Sequence, residues 1–148
     1  FLEGLKGTTL HYFTSGNFPG EITSICFEAG QHEDPKSVNR AIAAITNCLR
    51  FAGCVDEKHI ENRHIQILEN YSETLPRLTR LLYRYGILPD EEFIMKPGFT
   101  NFQRIKKGEY LADNQDGPIK SPYAGYILMP LYQDQGEDGF FIVEDTVF

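Results

Sequence analysis

The sequence predicts a mixed α+β fold, in which a strand–helix portion of an α/β unit is followed by a small all-β sandwich or barrel. Three observations lead to this prediction. Residues 22–27 form an almost continuous apolar run, which suits a strand buried on both faces. Residues 34–53 carry one apolar stripe at helical spacing between a start signal and a stop signal. From residue 78 onward, short β-prone runs alternate with glycines and prolines, which is typical of a sandwich or barrel.

The first half is expected to form strand, strand, helix and helix in that order. A β-prone run at 9–13 and a turn-rich break at 15–20 precede the apolar strand at 22–27. The first helix has Asp34 to cap it, Pro35 for its first position and Gly53 for its end. Its apolar stripe consists of Val38, Ala41, Ile42, Ile45, Leu49 and Ala52. A second, more polar helix is expected near 57–68.

The second half is expected to consist of short strands. Residues 78–88 fit a helix or a strand, and their aromatic content together with Gly86 favours the strand. Further strands are expected at 93–95, 102–105, 110–112, around Ile119, at 126–129 and at 140–143. We therefore predict two units, the α/β portion at 1–70 and a β-rich C-terminal domain at 71–148.

Charge, hydropathy and cysteine usage narrow the class of protein. The 14 basic and 21 acidic side chains give a net charge of −7, which argues against a nucleic-acid partner because neutralising phosphates needs a clustered basic surface. No stretch approaches the roughly 20 apolar residues of a membrane helix. The cysteines, Cys26, Cys48 and Cys54, show no C-x-x-C spacing, so we expect reduced thiols in a cytoplasmic protein.

Glu28 is the candidate functional residue that position alone suggests. It follows the apolar run directly, and Ala29 and Gly30 let the backbone turn away at once. Ligands of open α/β sheets collect at the carboxyl ends of strands, and a partly desolvated carboxylate there is suited to acid–base work. The alternative is that Glu28 only caps a loop or pairs with a nearby arginine.

The residues around Glu28 resemble a known family. The segment 22–32, a short acidic loop and a helix that begins Pro35-Lys-Ser-Val and continues Ala41-Ile-Ala-Ala look like the last core strand and helix of the succinylglutamate desuccinylase/aspartoacylase family. This family is related to the zinc carboxypeptidases, so the resemblance implies a remnant of a zinc-peptidase-like fold. It also implies a zinc-dependent hydrolase, a deacylase that cleaves the amide bond of an N-acyl amino acid or a similar small molecule. In that family the glutamate of the E-x-G segment polarises the zinc-bound water and passes its proton to the leaving nitrogen, a catalytic role that falls on Glu28.

The second half resembles the C-terminal β domain of the same family. The segments that carry the likeness are 93–102, 107–112, 121–125, 129–132 and 139–141. In aspartoacylase-like members this domain closes over the mouth of the active site, and a tyrosine near its end contacts the substrate. Tyr132 is the closest match in position, although residues 133–136 do not align cleanly. The alternative is an aromatic side chain that packs against a barrel strand.

The zinc ligands of the family have no counterpart here. A His-x-x-Glu pair, a further histidine and an Asn/Arg pair for the substrate carboxylate all lie upstream of the glutamate in that family. His11 stands alone in an apparent strand, and His59 and His64 are poorly aligned on a helix. His32, in the loop of Glu28, either orients the glutamate and lines a substrate pocket or is a solvent-exposed loop residue. We expect that this chain is a piece of a longer protein whose zinc is held upstream, and that alone it binds no zinc and hydrolyses nothing.

Two other functions compete with the deacylase. The β half is also similar to biotinyl and lipoyl carrier barrels, but Lys96 and Lys120 both lie beside a proline-containing turn, a context that fits a modified lysine poorly. A non-catalytic binding or regulatory module is the other alternative. An incomplete parallel sheet also leaves apolar edges exposed, so a homo-oligomer or a partner complex is expected of the isolated chain.

Overall fold

A computed structural model of the chain describes residues 12–13, 16–17, 19–20, 22–30, 34–134 and 136–146. The described residues fall into two compact units, one at 12–75 and one at 76–146. Between residues 34 and 146 the described part contains two α-helices and seven strands, and the strands form two antiparallel sheets. The fold is therefore mixed α and β with mostly β structure, and the α+β prediction is confirmed at that level.

The first helix, α1 (Ser37–Phe51), begins slightly later than the sequence predicts. Asp34 stabilises the turn that leads into it, because its Oδ1 accepts the N–H of Lys36 at 2.9 Å. Its carbonyl also accepts the N–H of Ser37 at 2.9 Å. Pro35 consequently lies in this turn and not at the first helical position.

The end of α1 follows the prediction. Gly53 has a φ of +69°, a backbone conformation that costs glycine nothing. Its N–H donates to the carbonyl of Arg50 at 3.0 Å, and the N–H of Cys54 donates to the carbonyl of Leu49 at 2.9 Å. This pair of bonds is a Schellman motif, which satisfies carbonyls that would otherwise lack partners.

The apolar stripe of α1 faces solvent. The face that α1 buries is the other one, with Arg40, Ala43 and Ala44. It contacts the second helix, α2 (Arg63–Ser72), and the amide of Asn47 donates to a carbonyl of α2 at 3.1 Å. The exposed fractions along the stripe are large: Val38 63%, Ile42 49%, Ile45 61% and Leu49 42%.

The predicted buried strand at 22–27 is wrong. Residues 22–30 are irregular, and Ile25 and Phe27 are 70% and 45% exposed. A strand needs a neighbour to pair with its backbone N–H and C=O groups, and the structure describes no strand before residue 79. Of the predicted strand at 9–13, Tyr12 and Phe13 are helical, and the rest lies outside the described residues.

The second predicted helix is divided in two. A short 3-10 helix at Glu57–His59 comes first, and its preceding residue, Asp56, accepts the N–H of Lys58 at 3.3 Å. After a break, α2 covers Arg63–Ser72.

The seven strands confirm the predicted β half, with small shifts of their ends. They are β1 (Thr79–Gly86), β2 (Ile94–Met95), β3 (Gln103–Ile105), β4 (Tyr110–Asn114), β5 (Gly117–Lys120), β6 (Gly125–Leu128) and β7 (Asp138–Asp145). The four-stranded sheet has the order β1-β7-β6-β3, and the three-stranded sheet has the order β2-β4-β5. All described strand pairs are antiparallel.

One core joins the two sheets. Its buried residues come from both: Met95, Phe99, Ile105, Leu111, Ala112, Ile127, Phe140 and Ile142. Phe140 is fully buried, and its ring stacks on that of Tyr85 with centroids 5.3 Å apart. Burial of apolar area on this scale is the main stabilising contribution to the β unit.

A polar network fixes the connection between β1 and β2. The hydroxyl of Tyr85 donates to Oε1 of Glu91, and the amide of Asn114 donates to the same oxygen at 2.7 Å. Burial, and then the bond to Glu91, raise the pKa of Tyr85 to about 12. The bonds from Asn114 and Tyr85 lower the pKa of Glu91.

Candidate functional site

Glu28 lies on an exposed, irregular segment that leads toward α1. The expectation that it sits partly desolvated at the end of a buried strand is therefore wrong. Its described hydrogen-bond partner is the thiol of Cys26, which donates to Oε1 across 3.4 Å. This bond raises the pKa of the Cys26 thiol, with smaller contributions from burial and from the charge of Glu28. Cys26 is therefore a poor thiolate nucleophile.

Arg40 of α1 reaches back to the residues that follow Glu28. Its Nε donates to the carbonyl of Ala29 at 2.7 Å, and its Nη2 pairs with the carboxylate of Asp34. The guanidinium carbon also lies 4.4 Å from the ring centroid of Tyr71 on α2. We call this group, Arg40 with Ala29, Asp34 and Tyr71, the Arg40 clamp.

Arg40 is both buried and charged, so it depends on the partners in the clamp. Arg40 is 5% exposed, and a buried guanidinium is tolerated only when it is paired and hydrogen-bonded. The bond from Arg40 lowers the pKa of Asp34, helped by the backbone N–H of Lys36. The Asp34 carboxylate is thus held in its charged form, as the clamp requires.

Gly30 makes room for the clamp. Its φ is +114°, and a Cβ built at this position would lie 2.6 Å from Nη2 of Arg40. Such a distance is far below van der Waals contact, so a side chain at this position would displace the guanidinium of Arg40 from its observed place.

Tyr132, the predicted substrate-binding tyrosine, has a hydroxyl that is inserted into a turn. The hydroxyl accepts the N–H of Phe99 at 2.7 Å and donates to the carbonyl of Lys96 at 3.0 Å. The turn contains Pro97 and Gly98, which are suited to its central positions. The single proton of the hydroxyl is engaged in this arrangement, so Tyr132 has only an acceptor lone pair left for a ligand. Its substrate role stays a prediction.

His32, the other predicted substrate-binding residue, lies outside the described residues, as does His11. His59 is exposed in the 3-10 helix, and His64 lies in the first turn of α2. Nδ1 of His64 is buried and meets no hydrogen-bond partner in the described part of the chain. Among the residues that the structure describes, no three His, Cys, Asp or Glu side chains gather into a group that could hold a metal ion. These residues do not fit a zinc site.

The two lysines of the carrier alternative do not lie at a hairpin tip. Lys96 follows β2 and its Nζ lies over the rings of Phe99 and Tyr110, at 5.7 and 5.3 Å from their centroids. Lys120 is the last residue of β5. The tip of the β4–β5 hairpin is formed by Gln115 and Asp116.

Arg40 is the residue that reasoning from the sequence missed. The available signal was an arginine on the side of the helix away from the apolar stripe, with Asp34 at the start of the same helix. Neither residue indicates the contact with Ala29, which lies before the helix and outside its periodic pattern.

Neither described helix has the length and apolar character needed to cross a bilayer. Comparisons of the chain with protein-family models, with curated proteins and with solved structures found no match.

Proposed function

We propose that this chain is the C-terminal part of a zinc-dependent deacylase that hydrolyses the amide bond of an N-acyl amino acid or a similar small molecule. In this proposal Glu28 takes a proton from the attacking water and delivers it to the departing nitrogen. One carboxylate performs both transfers in turn. Zinc would be held by residues outside this chain.

The observation that carries the proposal is that the Glu28 carboxylate is accessible while the residues after it are held by Arg40. The carboxylate is exposed and is contacted by a weak thiol donor, whereas the residues just after it are tied to α1 through Arg40. A general base must reach its substrate, and its backbone must be held in position. A glutamate that only capped a loop or paired with arginine would have its carboxylate occupied.

Exposed apolar surface in the same unit supports the proposal that the chain belongs to a larger fold. Val38, Ile42, Ile45 and Leu49 face solvent along α1, and Ile25 is 70% exposed just before Glu28. An apolar stripe along a helix is usually covered by another part of the protein or by a partner. The family resemblance implies a sheet packed against α1, and such a sheet would cover this stripe.

The test is hydrolysis by the complete gene product that contains this chain. Glu28→Gln should lower kcat at least about 100-fold, since general acid–base groups contribute on that order or more, and should leave bound zinc unchanged. Glu73→Gln, which changes an exposed glutamate at the end of α2, is the matched control and should have no effect. Full activity of the Glu28→Gln protein would exclude the catalytic role.

A non-catalytic module is the second candidate. It is favoured by the engaged hydroxyl of Tyr132, which has no proton to offer a ligand. A complete protein that holds zinc and yet hydrolyses no N-acyl amino acid would support it. The carrier alternative is tested by intact mass after expression with ligating enzymes, where a biotinyl or lipoyl adduct on Lys96 or Lys120 would support it.

A further inference from the structure

We infer that Arg40 is a positioning residue, which holds Ala29 and Gly30 against α1 and thereby sets where the Glu28 carboxylate lies. The catalytic consequence rests on the proposed function of Glu28. The positioning itself is a property of residues 28–40, and it is measurable in this chain alone.

The first argument is the pair of groups to which Arg40 donates hydrogen bonds. Arg40 is 5% exposed, so its side-chain donors must find acceptors inside the protein. One acceptor is the carbonyl of Ala29, the residue that directly follows Glu28. The other is the carboxylate of Asp34, just before α1. Arg40 therefore joins the residue next to the base to the start of the helix.

The second argument is the glycine of the Glu-x-Gly sequence. A Cβ at position 30 would lie 2.6 Å from Nη2 of Arg40. The glycine therefore provides the space in which the guanidinium lies, in addition to adopting a positive φ. Glu28, Gly30 and Arg40 act as one unit in this inference, although Arg40 touches neither the Glu28 carboxylate nor any reacting atom.

The third argument is that only arginine has the required geometry. Nε and Nη2 donate in two directions, to Ala29 and to Asp34, while the flat guanidinium lies over the ring of Tyr71. Lysine carries the same charge on a single nitrogen and does not make this bidentate, stacked contact. Arg40→Lys is therefore a test that preserves charge and removes the bridge.

The first part of the test uses this chain. Backbone 15N relaxation and amide hydrogen exchange of residues 28–30 are measured in the wild type, in Arg40→Lys and in Arg40→Gln, with circular dichroism at 222 nm to monitor the helices. We expect the order of residues 28–30 to fall in both variants while α1 persists. Arg50→Gln is the matched control, because Arg50 lies on the same helix and donates to Asn47 at 3.3 Å, and it should leave residues 28–30 unchanged. Unchanged order of residues 28–30 in both Arg40 variants would overturn the inference.

The second part uses the complete protein. Arg40→Lys should lower kcat about 10- to 100-fold, the range expected when a catalytic group is misplaced by about 1 Å, with KM and bound zinc unchanged. A loss of zinc or a rise in KM alone would show a merely structural role and would count against the inference, as would an unchanged kcat. If the wild-type protein hydrolyses no N-acyl amino acid, the proposed function fails, and the relaxation measurements still decide whether Arg40 positions the segment.

Discussion

Replacing Gly30 by alanine should destabilise the helical unit more than an ordinary glycine substitution. At a φ of +114°, alanine is strained by about 1–3 kcal/mol. Its Cβ would also displace the guanidinium of Arg40, 2.6 Å away. The far end of an arginine normally yields easily, but this one is buried and bonded to Ala29 and Asp34. Loss of one charged hydrogen bond costs about 1.5–3 kcal/mol, so we expect a total loss of about 3–5 kcal/mol.

Gly53→Ala separates the two contributions. Gly53 also has a positive φ, +69°, but a Cβ there meets no atom within 4 Å. Only the backbone strain remains, about 1–2 kcal/mol. The difference between the two variants, about 1–4 kcal/mol, therefore measures chiefly the collision with Arg40.

Urea unfolding followed at 222 nm measures both variants, because the helices lie in the unit at 12–75. Loss of the helical signal of Gly30→Ala before any urea is added, with Gly53→Ala still folded, would agree with the larger cost. Equal unfolding midpoints for the two variants would refute the reasoning.

Three further predictions concern the rest of the chain. Tyr132→Phe should destabilise the β unit by about 1–2 kcal/mol, because the carbonyl of Lys96 and the N–H of Phe99 both lose their bond to the hydroxyl. Thermal unfolding followed by near-ultraviolet circular dichroism measures the change. A variant as stable as the wild type would contradict the prediction. Tyr85 should ionise near pH 12. The stability of the β unit should fall as the pH rises from about 10 toward that value, since Tyr85 loses its proton at a lower pH in the unfolded chain. The absorbance at 295 nm of the wild type, compared with that of Tyr85→Phe, measures the titration. The chain alone should hold no zinc and hydrolyse no N-acyl amino acid, and stoichiometric zinc in the purified protein would overturn this expectation.

The strands of the β unit were predictable because turn residues separate them. Gly98 and Gly108, which follow β2 and β3, adopt φ values of +99° and +83°, conformations that the sequence signals directly. The order of the strands was not predictable in the same way. The pairing of Thr79 with Asp145 joins distant parts of the chain, and no local pattern specifies it.

The candidate site was only partly predictable. An apolar run such as 22–27 shows that side chains avoid water, but a strand also requires a partner for its backbone, which the described residues do not supply. The role of Arg40 could not be predicted from the sequence for a related reason. Its contact with Ala29 joins two residues that are 11 positions apart, and a helical pattern carries no information about such a contact.

The position of β7 has a consequence for how the protein is made. β7 is the last of the seven strands to leave the ribosome, yet it lies between β1 and β6 in the sheet and supplies the buried Phe140 and Ile142. The four-stranded sheet therefore cannot assemble during synthesis until its final strand has emerged. The helical unit, whose contacts are closer in sequence, is free to fold earlier. A messenger RNA that ends before β7 would encode the helices and a β segment that lacks the strand between β1 and β6. We expect such a product to be degraded by proteases.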